Sequence, residues 1–305
     1  MRIVFMGTPD FAVPSLKILI QNGYDIRAVV TVPDKPKGRG LKLQSSEVKI
    51  FALQNGLRIL QPENLKDEKF KTEITEINPD LIIVVAYRIL PDTIYKIPKF
   101  GTFNLHASLL PKYRGAAPIN HAIINGETET GVTTFFLDKK VDTGEIIYQR
   151  SVSIDNKDFG ELYNELKFVG AELVLETVKI IESGEVKLKK QSDEVSTNAP
   201  KIFKEFCRIN WEDTQENIYN KIRGLSPIPG AWTTYENKTL KIFKSQKTDI
   251  ESTKQYGETE VSEEGLFVNT LDKKIKIIEL QKEGKKRITA SEYIKGLQIK
   301  NFKFI

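Results

Sequence analysis

Three side chains in adjoining segments hold the strongest chemical signal in this chain. Asn104, His106 and Asp142 supply a carboxamide, an imidazole and a carboxylate within Asn104-Leu-His106-Ala-Ser108-Leu109-Leu110-Pro111 and Val141-Asp142-Thr143-Gly144. Moving an acyl group to an amine through a tetrahedral intermediate needs these three types. An amide N–H binds the developing oxyanion, an imidazole stabilises it and passes a proton to the leaving nitrogen, and a shielded carboxylate orients the imidazole or accepts the amine proton. The chain has only two histidines, so an imidazole acid or base is His106 or His121, and His121 lacks neighbours of this kind. No serine or cysteine stands in a nucleophile-elbow or Cys-His pattern, so direct transfer is expected and Ser108 is read as structural. Spacing alone leaves a plainer reading open, in which His106 is a loop histidine satisfied by backbone and Asp142-Thr143-Gly144 is an ordinary turn.

Other chemistries find little support. Gly7-Thr-Pro-Asp10-Phe11 follows a strand pattern but lacks the second and third glycines that let a dinucleotide pyrophosphate approach. No Walker-type lysine loop occurs, and the single cysteine, Cys207, cannot make a thiolate zinc cluster or an internal disulfide. No nicotinamide and no metal are expected.

The residues around the trio alternate short apolar runs with helical periodicity, the rhythm of a parallel sheet flanked by helices. Strands are expected at 3–6, 26–32, 58–60, 81–86 and 101–105, and helices at 14–21, 47–54 and 67–77. Two further strands, at 131–137 and 145–154, bracket Asp142, and an amphipathic helix at 159–181 closes the domain. The strand at 101–105 ends just before His106, and open α/β sheets gather ligands at the C-terminal ends of their strands. Periodicity fades from 183 to about 202. Beyond a helix at 213–222, alternating runs such as Trp232-Thr-Thr-Tyr235 and Ile275-Lys-Ile-Ile-Glu-Leu280 fit a small barrel of antiparallel strands. The expected organisation is an α/β catalytic domain over residues 1–185, a linker over 186–205 and a β domain over 206–305, with Trp211 and Trp232 as core or interdomain anchors.

At 305 residues the chain exceeds one typical core. With 40% apolar and 29% charged residues it has the composition of a folded protein. The longest apolar stretch, 81–87, falls far short of the roughly 20 residues a bilayer-spanning helix needs. The start Met1-Arg-Ile-Val-Phe-Met-Gly7 enters a strand pattern without a signal-peptide layout, so a cytoplasmic protein without a membrane partner is expected, with a monomer as the default. Residues 208–305 carry 18 Lys and Arg against 14 Asp and Glu, while residues 1–207 carry 28 against 27, so the positive excess lies in the C-terminal third. Such an excess fits an ordinary solvated surface as well as a polyanion-facing one. A second concentration, Lys35, Lys37, Arg39, Lys42 and Lys49 among Pro36, Gly38 and Gly40, puts positive charge on a pliant backbone suited to phosphates and an unstacked nucleic-acid end.

Asn104-x-His106-x-Ser108-Leu109-Leu110-Pro111-x-x-x-Gly115, followed by Asp142-Thr143-Gly144, resembles the signature of formyltransferases that use 10-formyltetrahydrofolate. Gly7-Thr-Pro-Asp-Phe-Ala12, Pro33-Asp-Lys-Pro-Lys-Gly-Arg39-Gly40, Tyr113-Arg-Gly-Ala-Ala-Pro118, Ala199-Pro-Lys201 and Ile222-Arg-Gly-Leu-Ser-Pro-Ile-Pro-Gly230 extend the likeness. From end to end the chain is similar to the methionyl-tRNA formyltransferase family. The resemblance implies that Asn104, His106 and Asp142 form the catalytic trio and that Ser108, Leu109, Leu110 and Pro111 line the folate site. It implies that the basic loop with Lys37, Arg39 and Lys42 contacts the tRNA acceptor end, Arg39 entering the acceptor stem. The implied reaction is formyl transfer from 10-formyltetrahydrofolate to the α-amine of initiator methionyl-tRNA, without a metal. The implied fold is a Rossmann-like catalytic domain, a linker and an OB-like C-terminal barrel, whose Lys241, Lys244, Lys273, Lys274 and Lys276 would face the tRNA body. Formylation of another amine, such as a nucleotide-linked amino sugar or glycinamide ribonucleotide, would share the trio but not the basic loop. An RNA-binding protein on a dead scaffold would have no need of an intact trio. One departure stands out: Val85-Ala-Tyr87-Arg88-Ile-Leu-Pro91 lacks the glycine that commonly follows Ala-Tyr in the family.

Overall fold

Uninterrupted aliphatic runs become the central strands here, because a strand covered on both faces has no polar side to show. The structure, a computed structural model, describes residues 1–37, 42–296 and 302–305. In chain order the first strands are β1 (Arg2–Gly7), β2 (Asp25–Val30), the hairpin β3 (Lys35–Lys37) and β4 (Lys42–Gln44), β5 (Ile59–Leu60), β6 (Leu81–Val85), β7 (Thr102–His106), the short β8 (Arg114–Gly115), β9 (Glu129–Phe136) and β10 (Ile146–Ser153). Seven of them form one sheet in the order β10-β9-β7-β6-β1-β2-β5. The run from β7 to β5 is parallel, and β9 lies antiparallel to β7. Ile3, Val4, Phe5 and Met6 of β1 and Leu81, Ile82 and Ile83 of β6 are fully buried.

The helices are α1 (Val13–Gln21), α2 (Glu47–Gln54), α3 (Glu68–Ile77), the short α4 (Asp92–Tyr95) and α5 (Pro118–Ile124), and the long α6 (Phe159–Ser183). Side-chain caps set where two of them begin. Ser46 accepts from the Lys49 amide at the start of α2, and Asp67 from the Lys69 amide at the start of α3. Gly7 ends β1 where a Cβ would lie 2.7 Å from that of Ala12, so the glycine serves close packing of the turn that follows.

After α6 come β11 (Asn198–Ala199), α7 (Gln215–Gly224), β12 (Ala231–Tyr235), β13 (Lys238–Glu251), β14 (Thr259–Ser262), β15 (Gly265–Val268), β16 (Lys273–Lys282), β17 (Arg287–Thr289) and α8 (Ala290–Lys295). β12 to β17 form an antiparallel sheet in the order β12-β13-β16-β15-β14, with β17 also on β16. Register shifts interrupt the long β13–β16 ladder, as bulges do where strands bend. The core on this sheet contains Ile218 and Ile222 of α7, Leu240, Ile242, Ile275 and Ile277, with Trp211 stacked on Phe304. Trp211 is thus a core residue. Among the described residues no helix is long and apolar enough to cross a membrane.

The chain divides into two compact units: Met1–Gly115, Thr130–Val152 and Tyr163–Asn198 form one, and Ala116–Glu129, Ser153–Leu162 and Ala199–Ile305 the other. These differ from the contiguous spans 1–185, 186–205 and 206–305 for a physical reason. Within the second unit, the Asn120 carboxamide donates to the Gly224 carbonyl at 2.7 Å, which holds α5 to α7. Within the first, Lys189 and Ile146 exchange backbone hydrogen bonds at 2.8 and 2.9 Å, so the expected linker is tied to β10 at Lys189.

Candidate active site

β7 positions two of the three expected residues by strand geometry alone. Side chains alternate across a sheet, so Asn104 and His106 share one face and Leu105 takes the other. The Leu105 face is closed by α6, where a Cβ on Gly170 would meet Leu105 Cδ2 at 2.7 Å. Thr134, opposite Leu105 on β9, bonds Thr177 of α6 on that same side. The polar ends of Asn104 and His106 therefore lie on the face away from α6, at the C-terminal end of a strand. Among the described residues the Asn104 carboxamide has no hydrogen-bond partner, which leaves its N–H groups available to a ligand.

His106 is 6% exposed, and its ring is fixed by backbone. Nε2 lies 2.8 Å from the Tyr113 carbonyl oxygen, and because a carbonyl only accepts, Nε2 carries the hydrogen. Nδ1 then faces Asp142 Oδ2 at 3.7 Å, too long for a hydrogen bond. Tyr113, held at a φ of 60°, thus orients the imidazole, and the carboxylate stands opposite the free nitrogen. Asp142 is itself left-handed, with a φ of 57°, and its side chain is 11% exposed. The Gly115 N–H donates to Oδ2 at 2.9 Å, from a backbone whose φ of 124° suits glycine. Gly144 is required as well: a Cβ there would lie 1.7 Å from the Phe136 carbonyl oxygen.

The segment after His106 is tied down rather than open. Ser108 is fully buried, its Oγ donating to the Lys112 carbonyl at 2.7 Å while its own carbonyl accepts from Thr133 at 2.6 Å. It closes a turn. Leu110 is buried against Phe135 and Ile146, and its carbonyl accepts from Gln149 at 2.8 Å. Leu109 and Pro111 are half-buried.

The basic segment is a hairpin in which Lys37 pairs with Lys42, and Arg39 lies outside the described residues. Lys49 is engaged elsewhere, 2.6 Å from Asp34; with the Gln61 amide it holds the Asp34 carboxyl below the usual carboxylate range. Of the C-terminal lysines, the buried Lys274 pairs with Glu260 at 2.9 Å, so its charge is largely spent within the fold, while Lys273 meets the exposed Asp249 at 3.1 Å on the surface. In the loop that departs from the family pattern, Arg88 donates to the carbonyls of Pro62 and Glu63 at 2.6 and 2.9 Å. His121 lies within the second unit, its Nε2 3.0 Å from the Pro200 carbonyl and its ring 5.5 Å from that of Phe206. One contributor had no sequence signal: Gln191, from the aperiodic polar stretch, donates to the main-chain carbonyls of Asp142 and Gly144.

Comparison with known proteins agrees along the whole length. The formyl transferase family model matches residues 1–178, and that of the formyl transferase C-terminal domain matches residues 201–298. The methionyl-tRNA formyltransferase of Caldanaerobacter subterraneus subsp. tengcongensis is 48% identical over 302 residues, covering 98% of each chain. That of Clostridioides difficile is 46% identical over 299 residues, 97% of each chain. Among solved structures, the N-formyltransferase from Helicobacter canadensis in complex with folinic acid and dTDP-3-aminofucose aligns with a TM-score of 0.68 and 25% identity, over 92% of this chain and 98% of that one.

Proposed function

The chain belongs to the methionyl-tRNA formyltransferase family, and from that premise we propose how its own residues carry out the reaction. It transfers a formyl group from a folate-derived donor to the amino group of methionine on initiator tRNA. The donor in this proposal is 10-formyltetrahydrofolate, consumed as a substrate and released as tetrahydrofolate. The methionine amine attacks the formyl carbon, a new N–C bond forms, and the bond from that carbon to the folate nitrogen breaks. One proton leaves the amine and one arrives on the departing nitrogen, so the site must hold a proton between the two events.

Asn104 and His106 receive the negative charge that develops on the formyl oxygen, the carboxamide through an N–H and the imidazole through Nδ1 when that atom is protonated. Asp142 accepts the amine proton and passes it to His106 Nδ1, the ring nitrogen that faces it, which delivers it to the departing folate nitrogen. Nε2, committed to the Tyr113 carbonyl, stays out of the proton path. The observation that carries this reading is the juxtaposition on one sheet face of an unpartnered carboxamide, a ring nitrogen free of backbone and a carboxylate 3.7 Å from that nitrogen.

Folate contacts fall to Leu109, Pro111 and the main chain of 108–111, since the side chains of Ser108 and Leu110 are turned to internal partners. Lys37, Arg39 and Lys42 meet the tRNA acceptor end, a role their positive charge supports. The test is formyl transfer to methionine-charged initiator tRNA, with uncharged tRNA and a nucleotide-linked amino sugar as alternative acceptors. Asn104→Ala is expected to lose on the order of 100- to 1000-fold in kcat. Full turnover in that variant would remove Asn104 from the site, and formylation of the sugar instead would overturn the acceptor.

A further inference from the structure

We propose that Gln191 is a positioning residue that holds Asp142 opposite His106, an inference that rests on the reading of Asp142 as catalytic. The Gln191 carboxamide uses all four of its hydrogen-bonding positions. Nε2 donates to the Asp142 carbonyl at 2.9 Å and to the Gly144 carbonyl at 2.8 Å. Oε1 accepts from Arg114 Nε at 3.1 Å and Nη2 at 2.8 Å. Arg114 is itself anchored, its Nη1 donating to Asp193 Oδ1 at 2.7 Å and its backbone N–H to the Thr197 carbonyl at 2.9 Å.

A guanidinium can only donate, so Arg114 decides which end of the carboxamide is oxygen and leaves the NH2 end aimed at the two loop carbonyls. The next residue, Gly115, donates its N–H to Asp142 Oδ2. Neighbouring positions of β8 thereby fix Asp142 twice, through its main chain by way of Gln191 and through its carboxylate directly. That double hold counters the left-handed backbone at Asp142, which an unsupported loop would leave for a commoner conformation.

Glutamine alone meets this demand. Glutamate keeps the acceptors for Arg114 but has no donor for the two carbonyls, methionine fills the space with neither, and asparagine is one methylene too short. A glutamine that merely stabilised the fold would, when replaced, lower the melting temperature and leave the turnover of folded enzyme intact. A positioning residue shifts kcat instead, because a displacement of about 1 Å in a catalytic group costs on the order of 100-fold.

The experiment measures kcat and KM for formyl donor and charged tRNA, with thermal unfolding, on Gln191→Glu, Gln191→Met and Asp142→Asn. The expected result is a fall in kcat on the order of 10- to 100-fold in Gln191→Glu, measured on protein that is folded at the assay temperature, with KM for both substrates near wild type. Gln191→Met, uncharged and of similar volume, gives the same split if the glutamate variant does not fold. Wild-type kcat in both, or a loss confined to KM or to melting temperature, overturns the proposal. An inactive Asp142→Asn beside a fully active Gln191→Glu would sink the positioning role alone. An active Asp142→Asn would sink the catalytic reading beneath it.

Discussion

The two histidines of this chain are buried alike and make the same first hydrogen bond, yet they face different partners. His106 is 6% exposed and His121 is 7% exposed. Each places Nε2 on a main-chain carbonyl, at 2.8 Å for His106 and 3.0 Å for His121. Burial and that first hydrogen bond do not tell them apart. What differs is the surroundings of the ring: His106 sends Nδ1 toward a carboxylate, whereas His121 packs its ring near Phe206. A buried histidine becomes a candidate acid or base through the partner of its second nitrogen, and the backbone bond only sets which nitrogen that is.

Substitution of each residue probes that comparison. His106→Ala should show the largest effect, a loss of general acid–base catalysis on the order of 100- to 10,000-fold in kcat. Single-turnover formylation would measure it, and near-normal turnover would reduce His106 to a second His121. His121→Ala should do the reverse. Leaving the Pro200 carbonyl unpaired costs about 1–3 kcal/mol of stability, read from denaturant unfolding, while the folded fraction turns over as before.

The smallest effect concerns stability on the acid side. Three hydrogen bonds from Arg2 hold Asp80 down from 3.8 to about 2. A depressed carboxyl contributes stability that is fully present above its unfolded value and is lost as pH falls toward the folded one. Asp80→Asn should therefore flatten the stability profile between about pH 4 and pH 2 without moving the activity of either histidine variant at neutral pH. A profile in that range identical to wild type would show that the Arg2 contacts do not persist in solution.

Sequence patterning reached the sheet and the placing of Asn104 and His106 on one strand because both are local. Buried strands announce themselves as aliphatic runs, the helices at 47–54 and 67–77 begin at capping side chains, and Asn104 and His106 are two apart on one strand. What stayed hidden is non-local. Gln191 meets Asp142 across 49 positions from a polar stretch without periodicity. The paired strands 35–37 and 42–44 read as a loop because Lys-Pro-Lys and Lys-Leu-Gln do not alternate apolar with polar over a strand's length. Lys49 and Lys274 read from sequence as open charge, but Asp34 and Glu260 lie beside them. Ser108 was legible only as a residue without a base, and its turn-closing bond to Lys112 explains why it is there.

The interleaving of the two compact units bears on synthesis, since a ribosome delivers the chain in one direction. Residues 116–129 emerge early and meet residues 153–162 of their unit soon after, but the bulk of that unit is made only from residue 199 onward. Until then Ile119, Ala122 and Ile123 of α5 lack the cover of α7, and Asn120 has no Gly224 carbonyl to donate to. A nascent chain stopped at residue 198 already contains Asn104, His106, Asp142 and Gln191, yet α5 in its middle is without its main cover. Completion of the C-terminal third thus finishes an element translated some 80 residues earlier, and aggregation or proteolysis of stalled chains should begin at that helix.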